Sequence, residues 1–489
     1  MLEPLVPTDE QWLAILRMAQ EQTRAAASAS DTGVGKTLIA VELAKQLKAQ
    51  TILVIAPVKG PVISSWKSTF KRQGVDLPFV RIDSSPAGRL AFDNLKASLP
   101  GVYFVGREFF GTSGSNLLPT RKKDGTFTPG REALWSWTKV KPDLAVFDEV
   151  QVASNRKSNT FAVLKSLSAG YKLAQSATPA GNRFAGIWPI TRWLWPKERD
   201  SSGELYVDNS FWRWAAQWAI MEYDPHVIAY NGAPGKKVMG EQVPGAFVSS
   251  LPCYIRIEAT RLPVVERNVY VELTPVQRRL YDQMERDALA WLGDHPLTAD
   301  IPIVKRIRMR QITLGEPVMV DNGRVDDDGL PLLDVDFAED SQSSKIDALH
   351  KIIALHPWDP MLILLDSKKF AKVVASRIGG SAWTGDTSDK ERNRLLAEFG
   401  KSVKYIVATI PAIAEGTDML QAVCNIEVWM SKSLNNMLNL QCEGRLNRQG
   451  SAFTEIISYN IKALKTDDDN RFQDLVNQTL AMRASLTKG

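Results

Sequence analysis

The stretch SDTGVGKTLIAVELAKQL, residues 30–47, decides the fold. It opens on Ser30-Asp31-Thr32-Gly33-Val34-Gly35-Lys36-Thr37 and runs straight into an apolar helical pattern, Leu38 to Leu47. Glycines let backbone N–H groups wrap phosphates, and a helix start adds positive potential. Lys36 then reaches the β- and γ-phosphates and Thr37 can hold magnesium. Thr32, Gly33, Val34, Gly35, Lys36 and Thr37 are therefore the expected phosphate-binding residues. Such a loop needs a strand before it and a helix behind it, and the flanking sequence supplies the alternation. After an amphipathic opening helix around Asp9 to Arg24 come TILVIA (51–56), VYFV (102–105), LAVF (144–147) and KLAQ (172–175), with helical patterns between. A second series follows: MLILLD (361–366), YIVA (405–408), IEVW (426–429) and EIISY (455–459). The pattern predicts an α/β protein with two doubly wound parallel-sheet lobes.

The expected boundaries are residues 1–255 for the first lobe, with an aromatic helical insertion at about 183–245. A linker with a helical and acidic insertion spans 256–343, the second lobe 344–465, and a C-terminal helix lies within 466–489. Trp188, Trp193, Trp195, Trp212, Trp214 and Trp218 crowd the insertion, where packing onto the first lobe is their expected role. The chain has 489 residues, 44% hydrophobic and 24% charged, which excludes a small module and a disordered or fibrous chain. No stretch approaches the ~20 apolar residues of a membrane span, and MLEPLVPTDE lacks the basic start and apolar run of a leader. An intracellular protein is expected. Cys253, Cys424 and Cys442 are unpaired by spacing, and the four histidines stand at no ligand spacing, so any metal should arrive with the nucleotide. Net charge is +5; its basic clusters include Lys305, Arg306, Arg308 and Arg310, which nucleic-acid contact or a solvated face would explain equally.

Three further motifs carry chemistry. Asp148-Glu149-Val150-Gln151 ends the strand LAVF, where one carboxylate can hold magnesium through water and its neighbour can deprotonate an attacking water. Ser176-Ala177-Thr178-Pro179 ends the strand KLAQ, with hydroxyls able to link the site onward. In the second lobe Gln441, Arg445 and Arg448 fall on successive turns, one face if helical, and arginines so placed stabilise transition-state phosphate charge. The set reads as a split ATP site whose closing and opening do mechanical work.

These residues resemble helicase superfamily two, and within it the Swi/Snf-type DNA translocases. The phosphate loop, DEVQ, Gln441 to Arg448, and Ala408-Thr409 with Gly416-Thr417-Asp418 match the superfamily's ATPase motifs. Ile55-Ala56-Pro57 followed by Trp66 and Phe70, SATPAGN (176–182) with IWPITRWLWP (187–196), LTPVQRRLYDQM (273–284), RMRQI (308–312) and TGDTSDKERNRLLAEF (384–399) are similar to family segments in the expected order. Ser30-Asp31, SAT, Asp418 and Leu434-Asn435-Asn436 depart from the Swi/Snf pattern, and SAT and Asp418 look like strand-separating relatives.

The resemblance implies two RecA-like lobes and ATP with Mg2+ as cofactors. It implies Lys36 and Thr37 on phosphate and magnesium, Asp148 on magnesium and Glu149 as catalytic base. Gln151 would couple the lobes and Arg445 and Arg448 would serve as fingers. Gln441 would stand near the γ-phosphate, and Gly416 and Asp418 near the ribose. Gln11 would read adenine, or is simply a polar helix-start residue. Lys59, Trp66, Lys368, Thr384 and Thr409 would contact nucleic acid, expected to be duplex DNA held through its backbone. Protein partners would supply targeting, and a compact bacterial or bacteriophage setting, in the cytoplasm at the nucleoid, is expected. Two alternatives stand beside the duplex translocase: a strand-separating DNA or RNA helicase, and an ATP-gated clamp with vestigial hydrolysis.

Overall fold

The structure, a computed structural model, describes residues 3–58, 60–113, 120–121, 127–128, 136–181, 183–228, 234–292, 295–298, 302–325, 331–414, 419–448, 451–468, 477 and 484. The chain divides into two compact units, Met1–Ala259 with Thr479–Gly489, and Thr260–Gln478. The expected C-terminal helix lies almost wholly outside the described residues.

Helix α1 (Asp9–Gln20) begins with a capping box in which Thr8 Oγ1 accepts the Gln11 N–H and the Gln11 side chain accepts the Thr8 N–H. The sequence pattern carries this helix to Arg24. It stops at Gln20, Arg24 turns to φ 55°, and Ala25–Ser28 form strand β1. Three alanines favour a helix locally. Tertiary packing overrides them, because Ala25, Ala26 and Ala27 are buried at 0–1% exposure between neighbouring strands.

Around β1 stand β2 (Thr51–Ala56), β3 (Phe79–Ile82), β4 (Gly101–Gly106), β5 (Leu144–Asp148), β6 (Tyr171–Gln175) and β7 (Tyr254–Ile255). Their order is β7-β1-β6-β5-β2-β4-β3, every pairing parallel. Buried runs such as TILVIA are the mark of strands covered on both faces. Strands β5 and β6, late in the sequence, insert between β1 and β2, so Ser28, Gln175 and Asp148 fall in one row at the strands' C-terminal ends. Helix α2 (Lys36–Gln46) follows the phosphate loop and buries Leu38 through Ala44.

Within the expected insertion, α3 (Ile187–Leu194) and α4 (Phe211–Trp218) pack aromatic rings into the first core. Trp193, Trp195 and Trp214 are buried, Trp214 stacks on Phe184 at 5.2 Å, and Trp188 meets Phe211 edge-on at 5.5 Å. The antiparallel strands Ala219–Ile228 and Pro234–Glu241 complete it.

The second unit holds β8 (Val264–Val271), β9 (Met361–Leu365), β10 (Ser381–Trp383), β11 (Tyr405–Thr409), β12 (Ile426–Trp429) and β13 (Ile456–Ala463). The order β8-β13-β12-β9-β11-β10 is again wholly parallel. The chain reverses direction at β9, a topological switch point of the kind that hosts ligands in open α/β sheets. Residues 264–271, expected from sequence as linker, are the edge strand β8; one side faces solvent, which blurs their apolar pattern.

Helix α5 (Pro302–Leu314) carries the basic cluster, and α6 (Ser344–Leu355) places Lys345 beneath the sheet. Its ammonium, fully buried, donates to Asp468 Oδ2 and to Met430 O at 2.6 Å each. Removing one member leaves the other charge buried and uncompensated, at a cost of about 3–5 kcal/mol. Asp468→Ala should therefore lower stability by that amount in urea unfolding, and Lys345→Met combined with Asp468→Leu should recover most of it; a single variant that unfolds like the wild type would show the pair to be dispensable.

Candidate active site

The first unit builds its site on the loop between β1 and α2. Gly33 and Gly35 take φ 87° and 70°, in the left-handed region that side chains resist. A Cβ on Gly35 would also lie 2.9 Å from Gln11 Nε2. Lys36 Nζ folds back to donate to Ser30 O at 3.2 Å and Asp31 O at 3.0 Å. Gln11 donates through Nε2 to Val34 O at 2.8 Å while its oxygen holds Thr8 N–H, so this side chain braces the loop from α1. The loop's start is pinned as well: Ser30 Oγ accepts the Ile257 N–H at 3.1 Å, and Arg256 Nη2 lies 3.5 Å from Asp31 Oδ1.

Asp148 and Glu149 stand where β5 ends. Glu149 holds φ 53°, a left-handed conformation for a residue with a side chain, and such strain gathers at functional sites. Its N–H donates to Asp148 Oδ1 at 3.1 Å. Burial first, then the neighbouring Glu149 charge, push the Asp148 carboxyl up to about 7, with Lys36 pulling the other way. From Glu149 a hydrogen-bonded path continues: Gln151 Nε2 donates to Glu149 Oε2 at 2.7 Å and Ser176 Oγ donates to Gln151 Oε1 at 2.7 Å. Ser176 Oγ in turn accepts the Thr178 N–H at 3.0 Å. The two motifs that sequence alone sets apart thus form one network, because β5 and β6 are adjacent strands.

Three buried polar atoms nearby have no hydrogen-bond partner among the described residues: Thr32 Oγ1, Thr178 Oγ1 and Gln175 Oε1. Buried polar atoms are almost always paired, so these represent unmet bonding capacity. With the left-handed glycines, the lysine and the paired carboxylates, the residues present fit a nucleotide phosphate and its divalent cation. Sequence reasoning did not single out Gln175 or Arg256; only the strand order brings them here.

In the second unit α7 (Asn436–Leu446) carries Gln441, which is buried, and Arg445, whose Nη2 donates to Ala414 O. Arg448 lies two residues beyond the end of that helix. The helix ends at Leu446, where Asn447 leaves helical geometry and clamps Leu262 through both its amide atoms, at 2.7 and 2.9 Å. Gly416 and Asp418 lie outside the described residues.

Of the expected nucleic-acid contacts, Lys59 lies outside the described residues. Trp66 is a correction: at 1% exposure it packs on Phe70 at 6.1 Å, so its ring is core and not contact surface. The four-residue spacing of these two rings on a helix already signals a shared buried face. Thr384 and Thr409 are also buried, and Thr384 Oγ1 accepts the Asp386 N–H at 3.3 Å. Lys368 is exposed and pairs with Asp386. It lines a cavity of about 490 Å³ with Arg308, Arg310, Lys369, Asp334 and Asp366. Arg310 there is buried against Asp366 at 2.8 Å, so the basic run on α5 is partly structural.

Residues 344–450 match the family described as the helicase conserved C-terminal domain. Among solved structures the chain is similar to a Sulfolobus solfataricus SWI2/SNF2 ATPase core in complex with dsDNA, at 17% identity, over 99% of this chain and 96% of that one, with a TM-score of 0.39. No curated protein matches it. Within the second unit, residues 344–450 are thus similar to a helicase C-terminal domain.

The raised Asp148 value makes a measurable prediction. Because it exceeds the ordinary 3.8, folding favours the protonated form; that contribution is full below pH 3.8 and is lost as pH rises through about 7. Asp148→Asn, neutral at every pH, should melt higher than the wild type at pH 8 and by a much smaller margin at pH 5, with no nucleotide present. Equal margins at both values would contradict the assignment.

Proposed function

We propose that this chain is an ATP-hydrolysing motor driven along nucleic acid, with duplex DNA its preferred track. One observation carries the reading: in the unit that holds the phosphate loop, strained Glu149 is hydrogen-bonded through Gln151 to Ser176, and residues 344–450 of the same chain are similar to a helicase C-terminal domain. A carboxylate poised beside a phosphate loop is what hydrolysis needs. Bonds running from it through Gln151 to Ser176 give the chemistry a route to structure elsewhere.

In this proposal Lys36 and the N–H groups of Thr32 to Gly35 cradle the phosphates, and Thr37 with Asp148 holds the divalent cation. That cation neutralises phosphate charge and orients the leaving group. Glu149 takes the proton of the attacking water, and its bond from Gln151 fixes the carboxylate's direction. Gln441, Arg445 and Arg448 act on developing phosphate charge, while Gly416 and Asp418 take the ribose. Gln11 holds the loop and leaves adenine to be read through a rearranged amide or another group. Lys59 contacts backbone phosphate, and so does Lys368 from the cavity it lines with Arg308, which favours charge over base identity. Thr384 and Thr409 act there through backbone placement. A strand-separating helicase is the second reading, supported by the Ser176 hydroxyl of the SAT motif bonding to Gln151.

Steady-state ATP hydrolysis tests this. Turnover should rise on adding duplex DNA, and Glu149→Gln should lose about 10²–10⁴-fold in kcat while still binding ADP. Arg445→Ala should lower kcat far more than it raises KM. Wild-type protein that never turns over ATP, with any nucleic acid, would overturn the proposal.

A further inference from the structure

Gln175 ends β6 between two other polar residues, opposite Ser28 on β1 and Asp148 on β5. Laterally paired residues of a parallel sheet project to the same face, so the three side chains form a row beneath the phosphate loop. The Gln175 side chain is fully buried, and its Nε2 donates to Lys36 O at 2.9 Å, the first residue of α2. A carbonyl can only accept, so the amide nitrogen must face Lys36 and the amide oxygen must face away from it. That oxygen, Oε1, has no hydrogen-bond partner among the described residues. A glutamine used only to tie a strand to a helix would not need a buried acceptor left open beside a carboxylate.

We propose that Gln175, gripping the Lys36 carbonyl and holding its open amide oxygen in the row Ser28–Gln175–Asp148, is a positioning residue for the hydrated divalent cation that accompanies the nucleotide. Mg2+ retains several of its waters when bound, and those waters are donors that need acceptors. Asp148 supplies a charged acceptor from one strand, and Gln175 supplies a neutral one from the next. Because the same amide fixes the start of α2, the cation's water shell and the position of Lys36 are set by one side chain. The proposal rests on the nucleotide-site reading and assigns no proton transfer to Gln175.

The test is calorimetric titration of the full-length protein with ADP, once with Mg2+ and once with EDTA. In Gln175→Met, a close match in shape that lacks both polar atoms, the tightening that Mg2+ gives should fall by about tenfold, the usual effect of losing an outer-shell partner. Affinity in EDTA should move much less. Gln175→Glu keeps an acceptor for the cation's waters but sets an oxygen against the Lys36 carbonyl, so its affinity in EDTA should fall while the Mg2+ increment is kept; it also decides the matter should the Met variant fail to fold, since loss of the increment in the Glu variant would overturn the proposal. So would a Met variant with the full increment, or one weakened equally with and without Mg2+, which is the signature of a merely structural tie. Wild-type protein that binds no ADP would instead remove the nucleotide site itself.

Discussion

The ammonium of Lys36, folded back on the carbonyls of Ser30 and Asp31, is the contact around which the first unit is arranged. A charge can rest on two carbonyls only if the backbone curls round it, and the positive φ of Gly33 and Gly35 makes that curl. The curl in turn demands support from every side. Gln11 supplies it from α1, Gln175 from β6, and Ile257 and Arg256 from beyond β7. Each brace comes from a different part of the chain, so the loop's shape depends on the whole sheet being closed in the order observed. That dependence also explains why the carboxylate pair arrives at the right place: β6 inserts beside β1, and β5 stands between β6 and β2.

Much of this arrangement is legible in the amino-acid sequence. The loop, the apolar runs at 51–56, 144–147, 361–366 and 405–408, and the acidic pair follow from residue type and spacing, because buried parallel strands and phosphate loops each tolerate few alternatives. What residue type and spacing leave out are the elements that tertiary packing creates. Ala25–Ser28 has a helical composition and becomes a central strand; Val264–Val271 has one wet side and becomes an edge. Trp66 looks like a contact residue and is core. Arg448 follows a helical spacing that Asn447 interrupts by binding Leu262, a contact 185 residues away in sequence. Gln175 is invisible for the same reason, since only lateral strand pairing sets it beside Ser28 and Asp148.

The second unit uses its buried charge differently. Lys345 with Asp468 and Arg310 with Asp366 tie α6 and α5 to the sheet from beneath and from the side. Glu427, buried on β12, is pushed up to about 7 by burial and then by Glu443, and it accepts bonds from Trp429 Nε1 at 2.9 Å and Ser458 Oγ at 2.7 Å. These ion pairs and hydrogen bonds give each of those groups a partner within the second unit.

Hydrolysis alone does not make a motor, so the central claim is best tested by movement. A duplex carrying a third strand bound in its major groove should lose that strand when protein and ATP are added, while the two strands of the duplex stay paired, and Glu149→Gln should leave the third strand in place. ATP turnover without displacement would contradict the motor account and leave a nucleotide-gated clamp.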